Sequence, residues 1–144
     1  MSSFFSDEES ETLIKTIAKI EENSIGEVRI HVEDICEVSP YDRAVEIFNK
    51  LGMYKTKGQT GILIYLASED KKVAIIGDKG IHAIVGAAYW DLIIAEMKSK
   101  FASQSIFAGV YEGLKLVGDK LIEHFPEKRL PENELSNDIS YGRI

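Results

Sequence analysis

The residues best suited to chemistry are carboxylates placed where predicted strands begin or end. Glu27 opens a predicted strand at 27–33, and Asp78 closes a predicted β-hairpin at 61–78. If the first two strands are parallel and the third antiparallel, both carboxylates meet the loop at 56–60 at one end of the sheet. Ca²⁺ accepts carboxylates and backbone carbonyls in flexible geometry, so this end could hold a hard divalent cation. The simpler alternative is that Asp78 only caps the helix that follows it.

A second acidic group is expected at the opposite end of the same sheet. Glu33 and Asp34 finish the first strand, and Glu69 and Asp70 form the turn of the hairpin. The same topology brings these four residues near one another. The turn is interpreted as a solvated tip, which leaves the Asp78 end as the better candidate for a functional test.

Nucleophilic and thiol chemistry has less support. The three histidines are scattered, with no His-x-x-x-His pair and no favourable Ser-His-Asp arrangement. His31 is predicted to be a surface residue on the polar side of its strand. The lone Cys36 has no partner for an intramolecular disulfide and is interpreted as a small residue at a strand end. Arg29 either pairs with Glu27 or orients an anionic group.

Three strands would position these side chains. Residues 27–33 alternate strictly between apolar and polar, which is typical of a strand with one apolar face. Residues 61–67 are almost continuously apolar, as expected for a strand buried on both faces. A helix between these two strands predicts a parallel pair with a right-handed crossover. A short polar turn before the strand at 73–76 predicts an antiparallel hairpin.

Helices account for most of the remaining chain. A capping box at Ser6 begins an amphipathic helix at 7–23, and a second helix begins at Pro40 and ends at Gly52. Three helices follow the hairpin, the first of them short, at 80–87, and Pro126 stops the last. We therefore predict an α/β fold, a three-layer sandwich with a central mixed β-sheet and helices on both faces. It occupies 1–126 as one domain, and 127–144 is predicted to be a flexible C-terminal tail.

Composition narrows the functional classes. The chain of 144 residues is 44% apolar and 28% charged, as in globular proteins. Its net charge of -7 argues against binding to nucleic acid, which needs clustered Lys and Arg. We find no signal peptide and no apolar run long enough to span a bilayer, so a monomeric, cytoplasmic protein without a transmembrane segment is expected.

The order and spacing of several segments resemble the TPM-domain family over about residues 5 to 126. The segments that carry the resemblance are Gly26-Glu27-Val28-Arg29-Ile30-His31-Val32, Arg43-Ala44 with Phe48 and Leu51-Gly52-Met53, Thr56 with Thr60-Gly61-Ile62-Leu63-Ile64-Tyr65, Ile75-Ile76-Gly77-Asp78-Lys79-Gly80-Ile81, and Trp90. The resemblance implies a central sheet between helices. Family members are linked to photosystem repair, accessory roles for membrane proteins, weak acid phosphatase activity and binding of Ca²⁺ or other divalent ions in an acidic cleft. This chain resembles the compact, stand-alone bacterial form.

The resemblance implies specific metal ligands. Glu27 and Asp78 are the principal ones, with Thr60 and Asp91 as weaker additions. Thr60 stands where relatives commonly have Asn, which exchanges an amide carbonyl for a hydroxyl.

Three functional hypotheses follow. The first is a divalent-cation-binding accessory domain, with Ca²⁺ as the expected ion. The second is a metal-assisted weak acid phosphatase, in which the same carboxylates hold a metal that polarises a phosphoryl oxygen. The third is an interaction module that binds an unknown protein partner without a metal.

Overall fold

A computed structural model describes residues 4–127 and 139–144 of the chain. Its helices and strands are, in chain order, α1 (Asp7–Glu22), β1 (Glu27–Glu33), α2 (Pro40–Lys50), β2 (Gly61–Ala67), β3 (Lys72–Gly77), α3 (Lys79–Val85), α4 (Ala87–Ser103), α5 (Ile106–His124) and β4 (Ser140–Tyr141). Two single 3-10 turns, Met53–Lys55 and Lys57–Gln59, connect α2 to β2.

The four described strands form one mixed sheet in the order β3-β2-β1-β4. β1 and β2 are parallel, and β2 and β3 are antiparallel, as predicted. The strand β4 adds to β1 in parallel and was not predicted. The crossover through α2 and the tight hairpin turn therefore impose the expected strand directions.

The two faces of the sheet pack against different helices. Residues of even number in β1, such as Val28 and Ile30, belong to a core cluster shared with α1, α4 and α5. On the other face, Leu63 and Tyr65 of β2 pack against Ile47 and its neighbours in α2. All seven residues of β2 are buried, which confirms a strand covered on both sides. The fold is thus the predicted three-layer α/β sandwich.

Local capping signals explain where the first two helices begin. Glu9 N–H donates to Ser6 Oγ at 3.1 Å, and Ser6 N–H donates to Glu9 Oε1 at 3.0 Å, so both bonds of the capping box form. Ser39 caps α2, with Pro40 at its first turn. Gly52, with φ of 69°, then turns the chain out of the helix, as glycine does without a Cβ clash.

The helices after the hairpin divide at Gly86. The predicted short helix at 80–87 ends at Val85, because Gly86 has φ of 78° and interrupts the helix before α4 begins. Within residues 4–127 and 139–144, no single helix is both long and apolar enough to cross a membrane. Taken together, α3 and α4 have the length and the apolar composition of a membrane span, but the two helices meet at an angle of 87°.

The predicted flexible tail needs correction at its end. Most of it, 128–138, lies outside the described residues. The final residues return to the sheet: Ser140 and Tyr141 pair with β1, and Ile139 is 8% exposed in the main core. β1 would otherwise present unpaired backbone groups at the sheet edge, so even a short strand can add to it.

Candidate functional site

The end of the sheet that begins β1 brings Glu27 and Asp78 to either side of Gly61. Glu27 is the register partner of Gly61 in the parallel pair. Asp78 N–H donates to the Gly61 carbonyl at 2.9 Å and so extends the ladder of β3 by one residue. Residues opposite one another on neighbouring strands share a face. Since strands are spaced by ~4.8 Å, the Cα atoms of Glu27 and Asp78 lie about 10 Å apart.

Gly61 allows the connecting loop to approach the sheet closely. A Cβ at this position would lie 2.8 Å from the Met53 carbonyl oxygen and 3.5 Å from Thr56 Oγ1. A Cβ on Gly80, at the start of α3, would overlap the Gly58 carbonyl oxygen. The two glycines therefore let loop carbonyls approach the backbone beside both carboxylates.

Asp78 caps α3 with one carboxylate oxygen only. Oδ1 accepts the Lys79 N–H at 2.8 Å, which confirms the capping role. Oδ2 is buried and has no hydrogen-bond partner among the described residues. An unsatisfied buried acceptor costs about 1–3 kcal/mol, and more when it is charged. Helix capping therefore explains the position of Oδ1 but does not explain why Oδ2 is buried without a partner among the described residues.

Thr60 is held rigidly at the same end. Its side chain is buried, and the hydroxyl donates to the Lys57 carbonyl at 2.7 Å. Its backbone N–H donates to Thr56 Oγ1 at 3.1 Å, and its carbonyl accepts from Glu27 N–H at 3.4 Å. The hydroxyl proton is thus used in the hydrogen bond to the loop. The hydroxyl oxygen keeps lone pairs that could coordinate a cation.

Asp91 lies in a different environment from the other three predicted ligands. It is an exposed residue of α4 that lines a cavity of about 500 Å³ together with Gly77 and Trp90. Glu27, Thr60 and Asp78 do not line that cavity. The structure therefore brings three of the four predicted ligands to one end of β2 and places Asp91 on a helix beside β3.

The opposite end of the sheet holds a buried ion pair that the sequence did not predict. Arg43 of α2 donates to Glu33 through Nη2 at 2.7 Å and through Nε at 2.9 Å, and Tyr65 O–H donates to Glu33 Oε2 at 2.7 Å. Burial alone would raise the pKa of Glu33, but the hydrogen bonds from Arg43 and Tyr65 outweigh it and lower that pKa. An arginine in the first turn of the crossover helix, facing the polar side of β1, is the signal that could have identified this pair.

The turn of the hairpin lies beside this end, as predicted. Ser68 and Glu69 donate their backbone N–H groups to the carbonyls of Glu33 and Asp34, each at 2.8 Å. Glu69 and Asp70 are exposed. Asp70 is nevertheless more than a solvated tip, because its Oδ2 accepts the Cys36 N–H at 2.9 Å.

His31 is buried rather than on the surface, so its predicted placement was wrong. The side chain is 0% exposed and stacks on Tyr65, with ring centroids 6.4 Å apart. Its two ring nitrogens contact Ser140 Oγ at 2.7 Å and the Gly142 carbonyl at 2.8 Å. The alternating pattern of β1 correctly separated two faces, but Tyr65 of β2 and residues 140–142 pack against His31 on the polar one.

The groups at the Asp78 end that could bind a metal are oxygens. No group of three or more His, Cys, Asp and Glu side chains converges anywhere in the described part of the chain. At this end the donors are two carboxylates, a hydroxyl and loop carbonyls, and all of them are oxygens. That composition suits Ca²⁺ and not a transition metal that prefers nitrogen or sulfur. The buried Asp78 Oδ2 fits a cation, since no donor in the described part of the chain reaches it.

The layers and the strand order define the class of protein: an α/β domain with a small mixed sheet between helices. A family model for the TPM domain matches residues 1–120, so the chain belongs to the TPM domain family. No protein with a curated functional description matches the chain.

Solved structures agree with this assignment. The NMR structure of the BA42 protein from the psychrophilic bacterium Bizionia argentinensis is 37% identical in sequence and superposes with a TM-score of 0.87, covering 99% of this chain and 98% of that one. The N-terminal domain of a protein from P. gingivalis is 19% identical, with a TM-score of 0.74 over 88% of this chain and 84% of that one. At that identity the second likeness concerns the fold alone.

Proposed function

We propose that this TPM domain is an accessory domain that binds a divalent cation, with Ca²⁺ as the preferred ion, at the end of the sheet that holds Asp78. The observation that carries the proposal is Asp78 Oδ2, which is buried and accepts no hydrogen bond from the described residues. An ionised oxygen withdrawn from water needs a compensating positive charge. A cation bound there would supply it.

The neighbours of Asp78 supply further oxygens of the right chemistry. Glu27 lies across Gly61 on the same face of the sheet, and the Thr60 hydroxyl is fixed beside them. The 3-10 turn at Lys57–Gln59 places left-handed residues at Gly58 and Gln59 next to the start of α3. Ca²⁺ takes six to eight oxygens and tolerates irregular geometry, so carbonyls of this loop and water complete the ligand set.

The direct test is a Ca²⁺ titration of the whole chain followed by backbone amide shifts. We expect the shifts to concentrate at Glu27, at 56–60 and at Asp78. The informative variant is Asp78→Asn, because Asn caps a helix as well as Asp does and only the charge is lost. It should weaken Ca²⁺ binding at least tenfold, or about 1.4 kcal/mol.

Asp91→Asn is the matched control, since it removes one carboxylate from the exposed face of α4. It should leave the affinity within about twofold of wild type, because Asp91 lines another cavity. Shifts confined to the Glu33 and Glu69 end, or equal losses in both variants, would refute the site.

The metal-assisted phosphatase is kept as the alternative use of the same carboxylates. It predicts turnover of an aryl phosphate that requires the added cation and is lost in Asp78→Asn. Binding of Ca²⁺ without such turnover would leave the accessory role as the function of the site. A protein partner that binds equally well in the presence of a chelator would instead favour the interaction module.

A further inference from the structure

The last described residues, 139–144, form a short strap on the outer edge of β1, at the end of the sheet away from Asp78. His31 pairs in register with Ser140 and Val32 with Tyr141, and Gly142 N–H donates to the Val32 carbonyl at 2.9 Å. Ile139 inserts into the main core at one end of the strap. The backbone pairing is only two residues long, so side-chain contacts must contribute much of the attachment.

His31 uses both ring nitrogens to hold the strap. The Gly142 carbonyl can only accept, so Nε2, 2.8 Å away, carries the proton. Nδ1 then accepts the hydroxyl hydrogen of Ser140 at 2.7 Å. This assignment follows from the hydrogen-bond network. A neutral imidazole therefore satisfies both contacts, and a second proton on Nδ1 would force the Ser140 hydroxyl to turn away towards the Ile30 carbonyl, at 3.4 Å.

The charges around His31 oppose a second proton. Burial lowers the pKa of His31, and Arg43 of α2 and Arg29 of β1 lower it further. The hydrogen bond to Gly142 and the charge of Glu33 raise it, but Glu33 is already engaged by two hydrogen-bonding groups of Arg43. Tyr65 of β2 stacks on the ring without charge, and the strap itself carries only Arg143 as a charged side chain.

The strap also forms one wall of the larger cavity. This cavity, of about 620 Å³, is lined on one side by 141–144 and on the other by the segment that follows β1. Lys50 of α2 donates to the Ile144 carbonyl at 2.9 Å across the cavity rim. Four large apolar side chains of its lining are exposed: Phe4, Ile35, Val38 and Ile144. Removing the strap would uncover the backbone edge of β1 and open this cavity.

We propose that the strap is an acid-sensitive closure: protonation of His31 releases residues 139–144, exposes the edge of β1 to pairing with another strand, and opens the cavity beneath Ile144. The Ser140 hydroxyl serves to hold the strap and not as a nucleophile. Although it lies 2.7 Å from a histidine, neither residue lines the cavity where a substrate could bind.

The sign of the effect follows from the lowered pKa. The released His31 titrates near its ordinary value of 6.5, while the docked residue resists protonation. Docking is therefore complete above pH 6.5 and weakens as the pH falls below it. If the docked ring stays neutral down to pH 5, the equilibrium constant for release rises by at most about 25-fold between pH 7 and pH 5.

Amide hydrogen exchange of the whole chain measures this release. The protection factor of the Gly142 amide, which bonds to Val32, should fall by roughly 10- to 25-fold from pH 7 to pH 5. The Asp78 amide, which bonds to Gly61, reports on the rest of the sheet and should keep its protection. Loss of protection at both amides would indicate acid unfolding of the domain and would overturn the proposal.

Three variants separate His31 from other acid effects. His31→Gln keeps a donor and an acceptor without titrating, so its Gly142 protection should not change between pH 7 and pH 5. Ser140→Ala leaves His31 in place and removes the hydroxyl that contacts both His31 and Arg29, so protection should fall at least about fivefold at both pH values. His124→Gln, at an exposed histidine of α5, is the matched control and should behave as wild type.

Two results would contradict the proposal. One is a Gly142 protection factor in wild type that is constant down to pH 5. The other is a pH dependence in Ser140→Ala that is absent although its His31 still titrates. If His31→Gln does not fold, the wild type and Ser140→Ala still decide between these outcomes, because both retain the histidine.

Discussion

Single carboxylates at the two ends of the sheet are stabilised in opposite ways. Glu33 receives hydrogen bonds from Arg43 and Tyr65, so its charge is fully compensated within the protein. Asp78 uses one oxygen as a helix cap and keeps the other buried, with no hydrogen-bond donor to it in 4–127 or 139–144. The first arrangement is that of a structural ion pair, and the second leaves the carboxylate on which the proposed cation site depends.

Arg43→Leu alone should destabilise the domain more than the replacement of both Glu33 and Arg43 by leucine. The substitution leaves Glu33 buried without its cation, which costs about 3–5 kcal/mol, whereas replacing Glu33 as well removes the uncompensated charge. Urea unfolding of Arg43→Leu and of Glu33→Leu/Arg43→Leu provides the comparison. A double variant as unstable as the single one would show that Arg43 acts through packing and not through charge.

The same pair should contribute to acid sensitivity. Burial raises the pKa of Glu33, but its hydrogen bonds from Arg43 and Tyr65 lower it below the ordinary value of 4.5. The unfolded chain therefore binds a proton before the native chain does, so the contribution is present above pH 4.5 and is lost as the pH falls below it. Unfolding free energies measured from pH 6 to pH 3 should fall less steeply in the double variant than in wild type.

Among the elements, β2 depends on the loop that precedes it. The strand is buried on both faces, and its first residue, Gly61, lies under the Met53 carbonyl. The loop can cover the start of the strand only because no side chain projects there. This close contact also holds Thr56 and Thr60 near Glu27, so the geometry of the proposed site depends on the glycine.

Gly61→Ala should therefore lower both stability and Ca²⁺ affinity. Its Cβ would meet a backbone oxygen at 2.8 Å, and forced displacement of packed groups costs about 1–3 kcal/mol. Gly86→Ala is a useful comparison. A Cβ at this position would meet nothing within 4 Å, but the backbone φ of 78° is unfavourable for alanine. Thermal unfolding should show a loss in both, with Ca²⁺ affinity reduced only in Gly61→Ala. Equal Ca²⁺ affinities in the two variants would show that the loop before β2 does not shape the proposed site.

On the scale of the whole molecule, cation binding should stabilise the folded domain. A ligand that binds only the native state at 100 times its Kd adds about 2.7 kcal/mol. For a domain of this size the resulting rise in Tm is several degrees, since about 1 kcal/mol corresponds to roughly 2–5 °C. Calorimetry with and without Ca²⁺ should show this rise in wild type and a much smaller one in Asp78→Asn. Equal rises would place the ion elsewhere.

Local patterns were sufficient for the order of the helices and strands from α1 to α5. Strict alternation in β1, the unbroken apolar run of β2 and the cap at Ser6 depend on residues close together in the chain. Their interactions are local, so they can be recognised without knowing the fold. They predicted the parallel β1 and β2 pair, the hairpin and the three layers, and they brought Glu27, Thr60 and Asp78 to one end of the sheet.

Contacts between distant segments were decided only by the tertiary structure. The polar face of β1 does not specify what covers it, and both water and a second layer are compatible with alternating residues. Here α2 brings Arg43 to Glu33, and residues more than 100 positions away bring Ser140 to His31. Burial of His31 and the strap at 139–144 thus depend on pairing at long sequence separation. The sequence by itself determined which residues share an end of the sheet, while the packed layers determined which of them are buried and which pair with one another.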